Sequence, residues 1–187
     1  MKTNLEICID SCSGIDAAIE GGADRIELCS SLEYGGLTPT IEVLKYASEC
    51  GIQARSMIRP RKGDFVYSLE ELISYSVGFK KTLHRAVDTM PKTKDSVQIG
   101  IQLGLETILS SGGKNTALEG LSVLSEMHKL ASGKINIMPG SGVNSKNVKQ
   151  ILKNYYFDWI HSSCSIEKNG HKLTDMQLIK SLKNAIN

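Results

Sequence analysis

The chain has 187 residues, of which 41% are hydrophobic and 22% are charged, a composition typical of a globular domain with a substantial core. Its 22 basic and 20 acidic residues are interspersed and leave a net charge of +2, which argues against nucleic acid or an anionic membrane as a partner. No stretch has the roughly 20 apolar residues of a transmembrane helix, and Glu6 and Asp10 interrupt the apolar run that a signal peptide needs. We therefore expect a single cytoplasmic domain over residues 1–187.

Strand-type runs alternate with helix-type segments along the whole chain. The first three pairs are Leu5 to Asp10 with Asp16 to Gly22, Arg25 to Cys29 with Ile41 to Cys50, and Ile52 to Pro60 with Leu69 to Val77. The last four pairs are Lys81 to Ala86 with Lys94 to Gly104, Glu106 to Ser110 with Ala117 to Ser132, Lys134 to Pro139 with Lys146 to Asn154, and Asp158 to Ser162 with Asp175 to Ile186. This order predicts parallel strands joined by crossover helices.

The pattern within the strands decides between an open sheet and a barrel. In the first strand, apolar residues at positions 5, 7 and 9 alternate with Glu6, Cys8 and Asp10, and the second strand alternates in the same way. A sheet covered by helices on both faces would be apolar on both. One polar face in each strand instead predicts an α/β fold of the TIM type, a (β/α) barrel with a polar lumen.

The number of βα units is unusual, because seven are visible where a regular barrel of this type has eight. Only Gly78, Phe79 and Lys80 join the helix that ends at Val77 to the strand that starts at Lys81. We interpret this junction as the place where one unit is missing, unless the barrel is irregular.

Polar residues and glycines cluster where strands end, which is where barrels build their sites. The loop from Met138 to Asn144 could direct backbone amides at an anion, as could the run from Ser110 to Gly113. The candidate ligand-binding residues are Arg59, Arg61, Ser110, Ser111, Gly140, Ser141, Gly142 and Asn144. Such a site would bind a phosphate or carboxylate, whereas the alternative is that the glycines only form tight turns.

Five cysteines, an odd number without CxxC spacing, indicate free thiols rather than a disulfide framework. Cys8 and Cys29 have the polar-face parity on adjacent parallel strands, which lie roughly 4.8 Å apart. Two inward thiolates, with Met57 or a histidine as a third ligand, would suit Cu(I). The alternative is that both cysteines are core residues.

A third group of residues could act in acid–base chemistry. The candidate catalytic residues are Asp10, Glu27, His84 and Arg85. A histidine beside a carboxylate has a pKa that the pair can adjust, so His84 could be a general base. A buried network of ion pairs explains the same residues equally well.

Six motifs in this sequence together resemble the CutC copper-homeostasis family. They are Gly21-Gly-Ala-Asp-Arg-Ile-Glu-Leu-Cys-Ser30, Gly35-Gly-Leu-Thr-Pro39, Met57-Ile-Arg-Pro-Arg61 with Gly63-Asp-Phe-Val-Tyr67, His84-Arg-Ala86, Ala117-Leu-Glu-Gly-Leu121 and Met138-Pro-Gly140. The resemblance implies a TIM-type barrel, a cytoplasmic location and a homo-oligomer. It also implies copper ligands at Cys8 and Cys29, which match two cysteines proposed for this role in the family.

The resemblance also bears on the missing unit and on function. Family members carry a further strand and helix before the His84 motif, and this chain lacks them. No enzyme reaction is generally assigned to the family. Two hypotheses therefore remain: a Cu(I)-binding homeostasis protein, and a barrel enzyme that acts on a small phosphorylated or carboxylated metabolite.

Overall fold

A computed structural model describes residues 2–59, 78–153 and 155–187. The described helices are α1 (Cys12–Gly21), α2 (Ile41–Cys50), α3 (Asp95–Gln102), α4 (Leu121–Ala131), α5 (Val148–Leu152) and α6 (Met176–Ile186). The described strands are β1 (Asn4–Ile9), β2 (Arg25–Leu28), β3 (Ala54–Ser56), β4 (Thr82–Leu83), β5 (Thr107–Ser110), β6 (Asn136–Pro139), β7 (Trp159–Ser162), β8 (Ser165–Lys168) and β9 (His171–Thr174). Short 3₁₀ helices cover Leu32–Tyr34 and Arg85–Thr89. The predicted helix from Leu69 to Val77 lies outside the described residues, as does Arg61.

The described residues divide into two compact units. The first unit takes in those of Lys2–Gly63, Asn144–Lys149 and His161–Asn187, and the second takes in those of Asp64–Val143 and Gln150–Ile160. The expectation of one domain over the whole chain stays a prediction. Among the described helices, none is long and apolar enough to cross a membrane.

The first unit contains β3, β2 and β1, which are neighbours in one sheet in that order. The β1–β2 and β2–β3 pairs are parallel, as the βα order predicts. Leu5, Ile7 and Ile9 of β1 are fully buried. Helices α1 and α6 approach closely at Gly21, where an added Cβ would lie 2.5 Å from Ile179 Cγ2. Glycine at this position therefore sets how near the two helices can pack.

The second unit contains a parallel sheet with the strand order β4-β5-β6. Its register places Thr107 of β5 between Thr82 of β4 and Asn136 of β6. The next residue, Ile108, faces helix α3, because its Cδ1 would lie 3.2 Å from a Cβ on Gly100. The polar row therefore lies on the face of the sheet opposite that helix.

Three helix starts show how well sequence signals such as capping residues predict where a helix begins. Asp175 accepts a hydrogen bond from the Leu178 N–H at 2.9 Å and begins α6 at the predicted place. Helix α4 begins at Leu121 rather than at the predicted Ala117. The first helix likewise begins at Cys12 rather than at the predicted Asp16, so helix starts are predicted less sharply than helix existence.

One described element was absent from the prediction. Strands β8 and β9 form an antiparallel hairpin, with Asn169 and Gly170 at its turn in left-handed conformations of φ 52° and 77°. An Asn-Gly pair is a strong signal for this type of turn. The βα pattern assigns no element between Ser162 and Asp175, since it takes only crossover helices into account.

Candidate functional site

The two predicted thiol ligands meet in the first unit. The Sγ atoms of Cys8 and Cys29 are 3.0 Å apart, and the two residues are 7% and 0% exposed. Strand β1 carries Cys8, and Cys29 directly follows β2, held there by a 2.9 Å bond from its N–H to the Ile9 carbonyl. Leu32 and Met57 complete one buried cluster with the two cysteines. The thiols therefore lie at the end of a parallel strand pair, as their spacing predicts.

A carboxylate accompanies the thiols. Glu27 is the register partner of Cys8, and one ligand atom each from Cys8, Glu27 and Cys29 lie within 4.8 Å of one another. Glu27 Oε2 is also 3.0 Å from Nε2 of His161 on β7. The set could bind a metal ion through two sulfurs and one oxygen, with the histidine orienting the carboxylate.

A buried ion pair lies two register positions before this set, on the same face of the strands. Glu6 and Arg25 face each other across β1 and β2, and the Arg25 Nε donates to Glu6 Oε2. Their side chains are only 2% and 3% exposed. Glu6 Oε1 is 4.0 Å from His161 Nε2. The polar face predicted for these strands is therefore a network of paired charges, as expected for charged groups removed from water.

Burial favours the neutral forms of two groups on this face, Glu6 and Cys8. Burial raises the pKa of the Glu6 carboxyl, although His161 and Arg25 counteract the rise. The hydrogen bond with Cys29, together with burial and the nearby Glu27, raises the pKa of the Cys8 thiol well above its ordinary value. A free thiolate is therefore disfavoured at Cys8, which argues against a role as a nucleophile without a metal.

Asp10 and Arg59 have structural partners in the same unit. The Asp10 carboxylate accepts the Leu32 N–H at 3.3 Å. Arg59 Nη1 donates to the carbonyl oxygens of Tyr34 and Gly36 at 3.0 and 3.2 Å. These contacts tie the loop after β2, and the assignments of Asp10 to catalysis and Arg59 to anion binding stay predictions.

In the second unit, polar groups converge on Asp88. Its carboxylate accepts from the Ser110 hydroxyl at 2.6 Å and from the Ser111 and Gly113 N–H groups, both at 3.0 Å. The Ser111 Oγ lies 2.9 Å away, and Arg85 donates through Nε at 3.0 Å. The serine–glycine turn predicted to bind an anion is thus occupied by a carboxylate of the same chain. His84 directly precedes the 3₁₀ helix that carries Arg85 and Asp88.

We expect Asp88→Asn to lose about 2–3 kcal/mol of unfolding free energy at pH 7, because the buried donors lose a charged acceptor. Although burial alone would raise it, the hydrogen bonds from Ser110, Ser111 and Gly113 hold the pKa of Asp88 below its ordinary value. A depressed pKa adds stability that is present above the unfolded value and disappears as the pH falls below about 4. Urea unfolding at pH 7 and pH 3 should therefore show the difference from the wild type shrinking at pH 3.

The control for this measurement is Asp95→Asn, which changes an exposed residue in the first turn of α3. It should lose no more than about 1 kcal/mol at pH 7. An Asp88→Asn variant that is no less stable than this control would contradict the role given to the Asp88 cradle.

The predicted glycine loop has partners of its own. The Gly140 N–H donates to the Ser110 carbonyl at 3.0 Å, and the Ser141 hydroxyl donates to the Asn115 carbonyl at 2.8 Å. A Cβ on Gly142 would lie 3.1 Å from Thr116 Cγ2. Asn144 belongs to the turn before α5, where its Oδ1 accepts from the Lys146 N–H at 2.9 Å. These contacts fit tight structural turns, and anion binding at this loop stays a prediction.

From the sequence, His84, Arg85 and Asp88 together could supply a general base or an anion clamp, whereas His161 has no specific role. Asp88 and His161 are both polar residues at or just after a strand or strand-like segment, and both were visible among the strand-end residues. Each contacts a residue more than 20 positions away in sequence, which is Glu27 for His161 and Ser110 for Asp88. Position at a strand end therefore marks both as candidate polar residues, but only the tertiary structure supplies these distant partners.

The chain matches one sequence family over most of its length. The model for the CutC family matches residues 3–77 and 68–166. A relative named family protein CutC, from Agrobacterium fabrum, is 35% identical over 231 positions that cover 96% of this chain and 92% of the relative. The Copper homeostasis protein cutC homolog of Caenorhabditis elegans is 32% identical over 219 positions, covering 96% of this chain and 87% of that protein.

Both alignments are longer than the 187 residues of this chain, so these relatives carry residues that have no counterpart here. The two matched segments overlap at residues 68–77, directly before the junction from Val77 to Lys81. This agrees with a βα unit missing at that junction.

Solved structures confirm the fold class. A structure of CutC from Streptococcus agalactiae has a TM-score of 0.74 at 26% identity and covers 87% of this chain and 99% of that chain. Thiamine phosphate pyrophosphorylase from Pyrococcus furiosus has a TM-score of 0.69 at 14% identity, covering 98% and 95%, a likeness that shows the fold alone. The arrangement is the predicted TIM-type (β/α) fold, and this chain belongs to the CutC family.

Proposed function

We propose that this protein acts in cytoplasmic copper homeostasis by binding Cu(I) through Cys8 and Cys29. The observation that carries the proposal is the 3.0 Å separation of two buried sulfur atoms at the end of an adjacent strand pair. Thiolates are soft ligands, and Cu(I) prefers them to oxygen or imidazole ligands. The name of the Caenorhabditis elegans relative, which refers to copper homeostasis, supports the same metal.

The surroundings of the two thiols also suit a soft monovalent ion. Leu32 and Met57 supply apolar contact and a thioether sulfur in the same buried cluster. Glu27, the one carboxylate grouped with the thiols in the described residues, is already paired with His161 at 3.0 Å. Because the thiols supply two sulfurs and the group holds a single carboxylate, the site offers fewer oxygen ligands than a hard divalent cation takes. The expected homo-oligomer stays a separate prediction.

We expect the reduced protein to bind one equivalent of Cu(I) under anaerobic conditions, in competition with a chromophoric Cu(I) chelator. Cys8→Ala and Cys29→Ala should each weaken binding by at least about 100-fold, because loss of a ligand costs more than loss of an outer-shell partner. The matched control is Cys50→Ala, which removes an exposed thiol at the end of α2 and should leave the affinity unchanged. Stoichiometric binding that persists in a Cys8→Ala, Cys29→Ala double variant would show that the proposal is wrong.

A further inference from the structure

The loop after β2 covers the thiol pair. We call residues 31–36 the cover segment. Its Leu32 is 9% exposed and packs in the buried cluster with Cys8, Cys29 and Met57. At its other end, a Cβ added to Gly36 would lie only 3.2 Å from Cys29 Sγ, so backbone lies directly against the sulfur. The cover segment therefore contributes to the burial of both thiols.

The two ends of the cover segment are joined to form a closed loop. Ser30 and Leu37 form an isolated bridge with N–H to carbonyl bonds of 2.8 and 2.7 Å. The Ser30 hydroxyl also donates to the Thr38 carbonyl at 2.8 Å. The neck of the loop is thus fixed, and any movement of the cover segment must occur between positions 30 and 37.

Two residues outside the cover segment form hydrogen bonds with its body. Arg59 Nη1 donates to both the Tyr34 and Gly36 carbonyls, and Asp10 accepts the Leu32 N–H. Arg59 is itself fixed by two backbone contacts with Thr38, at 2.9 Å each. One guanidinium nitrogen of Arg59 therefore connects two carbonyl groups of the cover segment to the chain just after β3.

The backbone of the cover segment lies partly in the left-handed region. Ser31, Gly35 and Gly36 have φ values of 53°, 82° and 86°. The two glycines adopt this conformation at no steric cost, whereas Ser31 bears a side chain that disfavours it. A short loop with a strained residue is the kind of segment that can open locally, without global unfolding.

We propose that Arg59 is a positioning residue that holds the cover segment closed over Cys8 and Cys29, and that opening of the cover segment is the step that admits Cu(I). The positioning role of Arg59 rests on its contacts with the cover segment. The role of opening in Cu(I) entry rests also on the proposed copper function. The sequence suggested that the Arg59 guanidinium binds an anion. Its N–H groups can also donate to carbonyl oxygens, and we assign it to those of Tyr34 and Gly36.

Thiol alkylation in the metal-free, reduced protein tests the positioning role of Arg59. Iodoacetamide can reach a buried thiol only in the open state, so the rate reports the open population. Loss of two hydrogen bonds in Arg59→Ala should raise the alkylation rates of Cys8 and Cys29 by at least about tenfold. Peptide mass spectrometry would follow each cysteine separately, and Arg59→Lys, which keeps a donor, should give an intermediate rate.

Two controls separate opening of the cover segment from a general loss of structure. Cys164 is 7% exposed, lies in the same unit and is not a member of the covered cluster, so its rate should not change. Glu33→Gln alters an exposed side chain of the cover segment and should leave all rates as in the wild type. Equal acceleration at Cys164, or no acceleration at Cys8 and Cys29, would overturn the proposal.

A second variant keeps the test decisive if Arg59→Ala does not fold. Thr38→Val removes the hydroxyl that accepts the Arg59 N–H but leaves the guanidinium in place. It should raise the alkylation of Cys8 and Cys29 severalfold, with Cys164 unchanged. Unchanged alkylation rates in this variant would contradict the proposed role of Arg59 in holding the cover segment closed.

Copper transfer tests the role of opening in Cu(I) entry. In stopped-flow transfer of Cu(I) from a chromophoric chelator, Arg59→Ala should take up metal faster by about the same factor as its thiols are alkylated. Faster alkylation without faster uptake would refute the role of opening in metal entry. A wild-type protein that takes up no Cu(I) would refute the copper function. The alkylation rates would still show whether Arg59 holds the cover segment closed.

Discussion

Arg25→Met should lose about 3–5 kcal/mol of unfolding free energy at pH 7, because it leaves the Glu6 carboxylate buried without its guanidinium partner. Both side chains of this pair are almost fully inaccessible, at 2% and 3% exposure. Removing one partner of a buried pair is far more costly than removing both, since an uncompensated charge remains in the interior. Guanidinium chloride unfolding of the variant and the wild type would measure the loss.

The pH dependence and a double variant identify the cause of that loss. Burial already raises the pKa of Glu6, and loss of Arg25 should raise it further. A raised carboxyl pKa adds stability that is present at low pH and lost as the pH rises through the folded value. Arg25→Met should therefore recover part of its deficit between pH 7 and pH 5. Adding Glu6→Leu should restore much of the loss at pH 7.

The matched control is Lys94→Met, which removes the cation of an exposed pair with Glu126, 46% and 52% exposed. Exposed pairs contribute little, so this variant should lose less than about 1 kcal/mol. If Arg25→Met and Lys94→Met were equally stable, the buried pair would have no special role in the first unit.

The thiol site was predictable because it depends on local rules. A strand has a period of two, so parity alone places Glu6, Cys8 and Asp10 on one side of β1. Neighbouring parallel strands then bring Cys8 and Cys29 together, and their sulfurs are 3.0 Å apart. The fold class followed from the same reasoning, since the βα order implies parallel pairing and the comparisons confirm it.

The partners of the cationic and hydroxyl groups were not predictable in the same way. Arg59, Ser110 and Ser111 are donors in strand-end loops, and a sequence shows donors without showing which acceptor reaches them. The structure supplies acceptors from the chain itself: carbonyl oxygens for Arg59 and the Asp88 carboxylate for the two serines. A loop suited to an external anion and a loop closed by an internal carboxylate have the same sequence signature.

Gly120→Ala should lose about 3 kcal/mol or more, the largest effect that we expect of a single added methyl group in the second unit. The new Cβ would lie 1.8 Å from the carbonyl oxygen of Ser111 and 3.1 Å from the Gly112 Cα. Both are backbone atoms, so rotation of a side chain cannot relieve the overlap and the turn itself must move. Because that turn supplies the donors to Asp88, the cradle should be disturbed as well.

The control is Gly100→Ala, where the added Cβ would lie 2.6 Å from Ile135 Cδ1, the far end of a flexible side chain. Gly100 lies inside α3, and alanine is favoured over glycine in a helix by up to about 1 kcal/mol, so the net change should be small. Guanidinium chloride unfolding would compare the two variants. A loss at Gly120→Ala no greater than that at Gly100→Ala would contradict the backbone clash.

A double variant tests whether the clash reaches Asp88. If Gly120→Ala moves the Ser111 N–H away from the carboxylate, part of what Asp88→Asn removes is already lost in that background. Residues that share one hydrogen-bond network are not additive, with coupling of roughly 0.5–3 kcal/mol. Asp88→Asn should therefore cost less in Gly120→Ala than in the wild type. Strict additivity would mean that the Asp88 cradle adapts to the movement of the turn and that the clash is absorbed elsewhere.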